Sequence, residues 1–461
     1  MRWGAAWIER RFIQPEEKDS GRVANDFWFL FGVDEGGRHR DDAPMKMGYI
    51  LFVVAVWAGT SVSGDWTSFL GPHQQPRNDE RGLNLDWSAE GPPLVWKRVG
   101  GSSYSMPVVA GERVIWFHRV GDEERVECVS LATGETQWQF VYPTAYVDRY
   151  GYNNGPRSAP LIHAERVYTF GAEGQLSCLE LATGKMVWVR RLNDECKVAQ
   201  HFFGVAQAPV IHDGVLLLNV GADGSVPGTG GVMGLEAKTG KTLWATGADP
   251  ASYSTPVVRD VEGATRAFFL TRSGLQVVDP SSGRLIASTP FRSRKLESVN
   301  AASPVVWGNR VLVTQCYGAG TAVYALSGAQ LAPVWEDKRV LGSHWCTPVL
   351  ADGKVYSSSG RHESEAVTVC VDAETGRSQW VGPRGLGRSH LLHIQDRFMV
   401  LGERGMLTTI AVDSSAYKEL SPRVRVIGTP AWAPPVVSQG RLFVRDDREI
   451  RCYDLRAKTP E

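Results

Sequence analysis

The sequence predicts an all-β protein, an eight-bladed β-propeller of four-stranded antiparallel blades, its ring closed by an N-terminal strand. Three observations carry this. A unit reading small-x-Pro-Val-Val-x-x-Gly-x-Arg-Val, then a glycine turn, an apolar strand and Thr-Gly-x-x-x-Trp recurs along the chain. Each unit holds three or four short runs rich in Val, Leu, Tyr and Phe between Gly, Asp and Ser turns, with no sustained helical period. An orphan strand, Pro93 to Lys97, precedes the first unit, whereas the last stops at Leu455 without its tryptophan strand.

The leading proline stands at Pro107, Pro160, Pro209, Pro256, Pro304, Pro348 and Pro435, at intervals of about 44 to 53 residues apart from one double gap. The gap hides a divergent unit in which Ser389 to Leu392 replaces the proline strand. One small sheet cannot bury both faces, so radial stacking of the units must supply the core. Trp138, Trp188, Trp244 and Trp380 close their units after Thr133-Gly134, Thr183-Gly184, Thr239-Gly240 and Thr375-Gly376. There glycine accepts the turn and the indole covers the gap between blades. Ser282-Gly283 leads to no tryptophan, and Ser327-Gly328 reaches Trp335 only after a longer turn. The orphan strand is expected to complete the last blade, so that the two ends of the ring clasp each other.

The N-terminus divides differently. Residues 1–44 are charged and irregular and read as an upstream segment outside any domain. Residues 45–64 have the form of a secretory signal peptide: a basic Met45-Lys46-Met47, an apolar Tyr49 to Trp57, and small residues at Val62-Ser63-Gly64. An uncleaved anchor is the alternative, and translation starting at Met1, Met45 or Met47 remains open. Residues 65–92 form a lead-in, 93–456 the propeller and 457–461 a tail. No cysteine stands at the cleavage point to accept a lipid, so a periplasmic or secreted protein is expected, with no membrane span after cleavage.

Lys plus Arg equals Asp plus Glu at 50 each, so no net field draws the chain to nucleic acid, and a monomer is expected. Of the seven cysteines, Cys128, Cys178, Cys370 and Cys452 fall at one point of four repeats. Equivalent strands hold them apart, which makes them small buried hydrophobes.

These docking repeats resemble the PQQ-like β-propeller family, shared by quinoprotein alcohol dehydrogenases and BamB-like outer-membrane assembly factors. The resemblance covers about residues 65 to 456. The opening Asp65-Trp66-Thr67-Ser68-Phe69-Leu70-Gly71-Pro72 resembles that of exported planctomycete-type propellers. Among quinoproteins, the resemblance implies PQQ in the central funnel, packed against a disulfide of adjacent cysteines, with a calcium on carboxylate and amide ligands and an aspartate base. This chain has no adjacent cysteine pair, and the ligands map onto no matching motif. Asp148, Glu297, Asp337 and Asp447 read as solvated loop acids. No metal site and no cofactor are expected, with PQQ and calcium as the alternative that the fold alone leaves open.

A site is expected where units depart from consensus, on the loops of one face. The position three residues before the strand proline enters the innermost strand at the channel mouth. It reads Tyr104, Arg157, Ala206, Tyr253, Ala301, Trp345, Gly387 and Trp432. With Asn154, His201, Asn300, His344 and Arg388 nearby, these residues predict either an aromatic funnel that stacks on a ligand while Arg157 holds a carboxylate, or a plug of packed rings. The favoured function is a non-catalytic binding or scaffold module for a protein, peptide or glycan. The alternative is a divergent quinoprotein-type oxidoreductase or another funnel-based enzyme.

Overall fold

The computed structural model describes residues 64–200 and 202–457. The upstream segment, the signal segment through Ser63, His201 and residues 458–461 lie outside the described residues.

The repeats fold into eight small sheets. Blade 1 shows the pattern: Val108–Ala110, Arg113–Val120, Glu123–Ser130 and Thr136–Pro143 run antiparallel from the channel outward. Its second and third strands are almost wholly buried, whereas the fourth alternates between buried and exposed. Core clusters draw on neighbouring blades, as Ile115, Cys128 and Trp138 of blade 1 pack with Ile162, Val167 and Leu179 of blade 2. Stacking therefore supplies what a lone sheet lacks. Cys128, Cys178, Cys370 and Cys452 sit on third strands, fully buried as free thiols.

The tryptophan and the glycine of the repeat work as a pair across each gap. The Trp138 indole N–H donates to the Leu181 carbonyl of blade 2 at 2.9 Å, and Trp188 does the same to Ala237 of blade 3 at 3.1 Å. Gly184 lies at φ +70° directly under Trp138, where a Cβ would come within 2.4 Å of the ring. Glycine thus allows the left-handed turn and also leaves the seat for the preceding blade's indole. Gly283, whose own unit lacks a tryptophan, still seats Trp244 in this way. Trp335, after its longer turn, docks on the Ala373 carbonyl at 2.9 Å.

The orphan strand closes the ring as expected. Leu94–Val99 pairs antiparallel with Glu449–Asp454, completing the last blade, and Trp96 donates to the Leu131 carbonyl of blade 1 at 2.9 Å. A polar clasp stands beside it. Arg98 reaches Glu127 at 2.6 Å, and His118 meets the other carboxylate oxygen at 3.1 Å. Because His118 accepts the Gly101 N–H at Nδ1, its proton lies on Nε2 and is donated to Glu127. Burial pushes the Glu127 carboxyl up, but the bonds from His118 and Thr136 and the Arg98 charge outweigh it and hold the group at about 2.

Two features depart from expectation. The divergent blade has five strands, because Arg77–Asn78 pairs in parallel with its inner strand, Ser389–Ile394. That inner strand is six residues long where blade 1's has three, and it carries no proline, so its edge is free to pair. The lead-in is the other departure: it runs across the end of the ring opposite the loop connections. Trp66 bridges to Val109 of blade 1, the Thr67 carbonyl accepts from Ile162 of blade 2, and the Gln74 amide oxygen accepts from Val258 of blade 4. Beyond blade 7, Asn78 donates to the Val437 carbonyl of blade 8 at 2.8 Å.

Candidate ligand-binding funnel

Connections that leave a fourth strand for the next blade, together with the hairpins between second and third strands, meet at one mouth of the channel. They surround a cavity of about 300 Å³. Every residue at the position three before the strand proline lines it except Gly387, so these rings stand in the wall of this cup. Its floor is Phe69 of the lead-in. Tyr104 and Trp432 stand 4.7 Å apart, Trp345 and Trp432 5.2 Å, and His344 and Trp345 4.5 Å between ring centroids, all tilted. The rings remain partly exposed to the cavity. Burial, followed by the opposing effects of nearby charges, pushes the Tyr104 hydroxyl up to about 12, so it stays a neutral donor.

Among the described residues, three arginines line the cup and no carboxylate does. Two of the three are spent on the scaffold. Arg157 donates to Asp148 at 2.7 Å and to the carbonyls of Gly155 and Asn153. Asp148 also accepts the Tyr150 and Asn153 N–H groups, and its side chain is fully buried. The expectation that Asp148 is solvated is thereby corrected: it is the organising acid of the long connection from blade 1 to blade 2. The carboxylate that Arg157 holds is this internal one. Arg388 grips Glu403 through Nε and Nη2, the latter at 2.5 Å, and lies over the Trp345 ring at 4.2 Å. Trp432 adds its indole N–H to Glu403 at 3.1 Å.

His344 joins this network in one tautomer. Arg388 is a donor only, so its 3.2 Å contact leaves His344 Nδ1 as acceptor, and the ring proton on Nε2 is donated to the Tyr317 oxygen at 2.7 Å. Burial first, then the charges of Arg388 and Arg361, push the imidazole down to about 3. His390, beneath, bonds the Trp432 carbonyl at 2.9 Å, and burial pushes it down to about 4.

Of the expected site residues, Tyr104, Arg157, Tyr253, His344, Trp345, Arg388 and Trp432 come together at the cup. Asn154 and Asn300 do not line it. Asn154 accepts the Asp148 N–H, and Asn300 is a buried staple that donates to the Thr271 and Phe291 carbonyls and accepts from Gln315. Tyr152, Phe203, Tyr317, Arg361 and His362 also line the cup. Tyr317 and Arg361 belong to the hairpins between second and third strands of blades 5 and 6, positions that a rule based on inner strands passes over. Bulky residues just beyond the second strand are the signal for them. Among the described residues, no three His, Cys, Asp or Glu side chains are grouped to hold a metal ion.

A family model described as outer membrane protein assembly factor BamB matches residues 122–382. BamB from Moraxella catarrhalis aligns with a TM-score of 0.56 at 12% identity, covering 80% of this chain and 99% of that one. A computationally designed protein, Ika8, gives 0.55 at 12% identity over 79% of this chain and 100% of its own. The quinohemoprotein alcohol dehydrogenase ADHIIG from Pseudomonas putida HK5 gives 0.50 at 12% identity, covering 86% and 81%. At such identities the likeness shows the fold alone. No curated protein matches the sequence.

Proposed function

Since the chain belongs to the PQQ-like propeller family described as outer membrane protein assembly factor BamB, we propose that it is an exported, non-catalytic binding or scaffold propeller. Its loop-face cup takes a protein, peptide or glycan ligand, and it works as a monomer in the periplasm or outside the cell. The observation that carries this reading is the cup itself. It is a concave, ring-lined space with a floor and a few fixed polar groups, the form that ligand sites take. The residues do not fit a quinone–calcium group. Calcium is held by oxygen ligands, above all carboxylates, yet among the described residues no carboxylate lines the cup, and Asp148 and Glu403 behind it are committed to arginines.

The test is partner capture with the chain from Asp65 onward. Loss of a defined partner in Trp345→Ala or Trp432→Ala, with the fold retained by circular dichroism, supports the reading. Dye reduction that requires added PQQ and calcium would overturn it in favour of an oxidoreductase.

A further inference from the structure

Of the cup's three arginines, Arg361 is the least engaged among the described residues. Its ion pair, with Glu297, is long at 3.7 Å, and both side chains are partly exposed, a geometry in which an ion pair contributes little. Its guanidinium lies over the Tyr317 ring at 4.8 Å. Tyr317 is itself half committed. His344 donates to its oxygen, so the hydroxyl hydrogen has no acceptor among the described residues. A cation and an O–H donor therefore stand together on the wall of an apolar cup, where a ligand oxygen is worth more than in water.

Exposed charge on the surrounding loop face leans basic on one side, although the chain as a whole is balanced. The connections between blades 4 and 7 carry Arg292, Arg294, Lys295, Lys338, Arg339 and Arg384, all exposed and none in an ion pair among the described residues, and these outnumber the exposed acids on that side, Glu297 and Glu365. Leu296, 80% exposed, stands among them. Across the face, the loops of blades 2 and 3 expose the acids Glu173, Asp194, Glu195 and Asp223, with the cations Arg191 and Lys197 among them. A long polyanion crossing the face would meet these acids, whereas a short acidic stretch can keep to the basic half.

We infer that the blade 4 to blade 7 half of the loop face receives an acidic polypeptide segment. One of its carboxylates enters the cup to meet the Arg361 guanidinium and the Tyr317 hydroxyl. This rests on the binding reading above and adds to it the chemistry of the partner. Arg361 and Tyr317 determine specificity, the exposed cations steer the encounter, and Leu296 with the cup's rings takes the apolar side chains between the acids.

The experiment is a fluorescence anisotropy titration of the protein with a labelled octapeptide of alternating Glu and Phe. Its Gln-for-Glu counterpart and a labelled oligothymidylate are run in parallel. The acidic peptide is expected to bind in preference to both, more weakly as NaCl rises. Arg361→Gln should weaken it by about ten- to a hundredfold, the range for a hydrogen bond to a charged group. Tyr317→Phe should weaken it less, and R292Q/R294Q/K295Q should flatten the salt dependence. Arg361 is partly exposed, so its variant should melt like the parent. Equal binding of the Gln peptide, tighter binding of oligothymidylate, failure of the acidic peptide to bind, or indifference to Arg361→Gln would each overturn the inference. Should the Gln peptide bind equally and lose that binding in Trp432→Ala, the acidic specificity falls while the binding cup stands.

Discussion

Replacing Trp96 with alanine is the sharpest perturbation of the ring. The indole is 8% exposed, its centroid is 5.9 Å from that of Phe443, and it rests on Gly134, where a Cβ would come within 2.8 Å of it. A buried tryptophan removes 150–250 Å² from water, or about 4–6 kcal/mol at 25 cal/mol/Å², and measured losses for Trp→Ala run at about 3–5 kcal/mol. The bond to the Leu131 carbonyl is lost as well, at about 1 kcal/mol. A loss of about 4–5 kcal/mol is therefore expected, a large part of the roughly 5–15 kcal/mol that holds a protein folded. Guanidinium unfolding followed by far-UV circular dichroism measures it as a fall in midpoint at constant slope. Trp380→Ala is the internal standard, since that indole is 9% exposed and bonds the Asp413 carbonyl at 2.8 Å. If Trp96→Ala costs less than about 1 kcal/mol while Trp380→Ala costs several, residues 94–99 are not what closes the ring.

Two further outcomes follow from the polar seams. Glu127 is held at about 2 against an ordinary 4.5, so the stability it contributes is complete above pH 4.5 and is lost as pH falls through that window towards 2. Urea titrations across that range should show a slope that Glu127→Gln removes. Arg157→Ala strips the buried Asp148 of its partner and should destabilise the protein by about 3 kcal/mol, seen as a lower melting temperature and proteolysis between 142 and 157. An unchanged melting temperature would return Arg157 to the role of a free ligand group.

The blade count, the docking tryptophans and the clasp were legible because each rests on local, repeated chemistry: a proline before a strand, a glycine under an indole, an unpaired strand at each end. The cup wall was legible for the same reason, as a fixed offset from the proline. The lead-in's path was not. Its bonds join residues as far apart as Asn78 and Val437, and no periodicity marks them. Nor was the division of labour among arginines. Arg157 looks free in sequence because the burial of Asp148, nine residues earlier, arises only when the connection folds back on itself. Among the described residues Arg361 is the least engaged of the three, because its ion pair with Glu297 is long where those of its neighbours are short.

Filling the cup tests its role most directly. Ala301 lines it at one of the consensus positions, and Ala301→Trp should occupy the space the ligand needs. Calorimetric titration with the acidic octapeptide is expected to show binding to the parent and none to this variant, with the two proteins melting alike. Undiminished binding by a folded Ala301→Trp protein would place the ligand elsewhere and contradict the cup as the functional site.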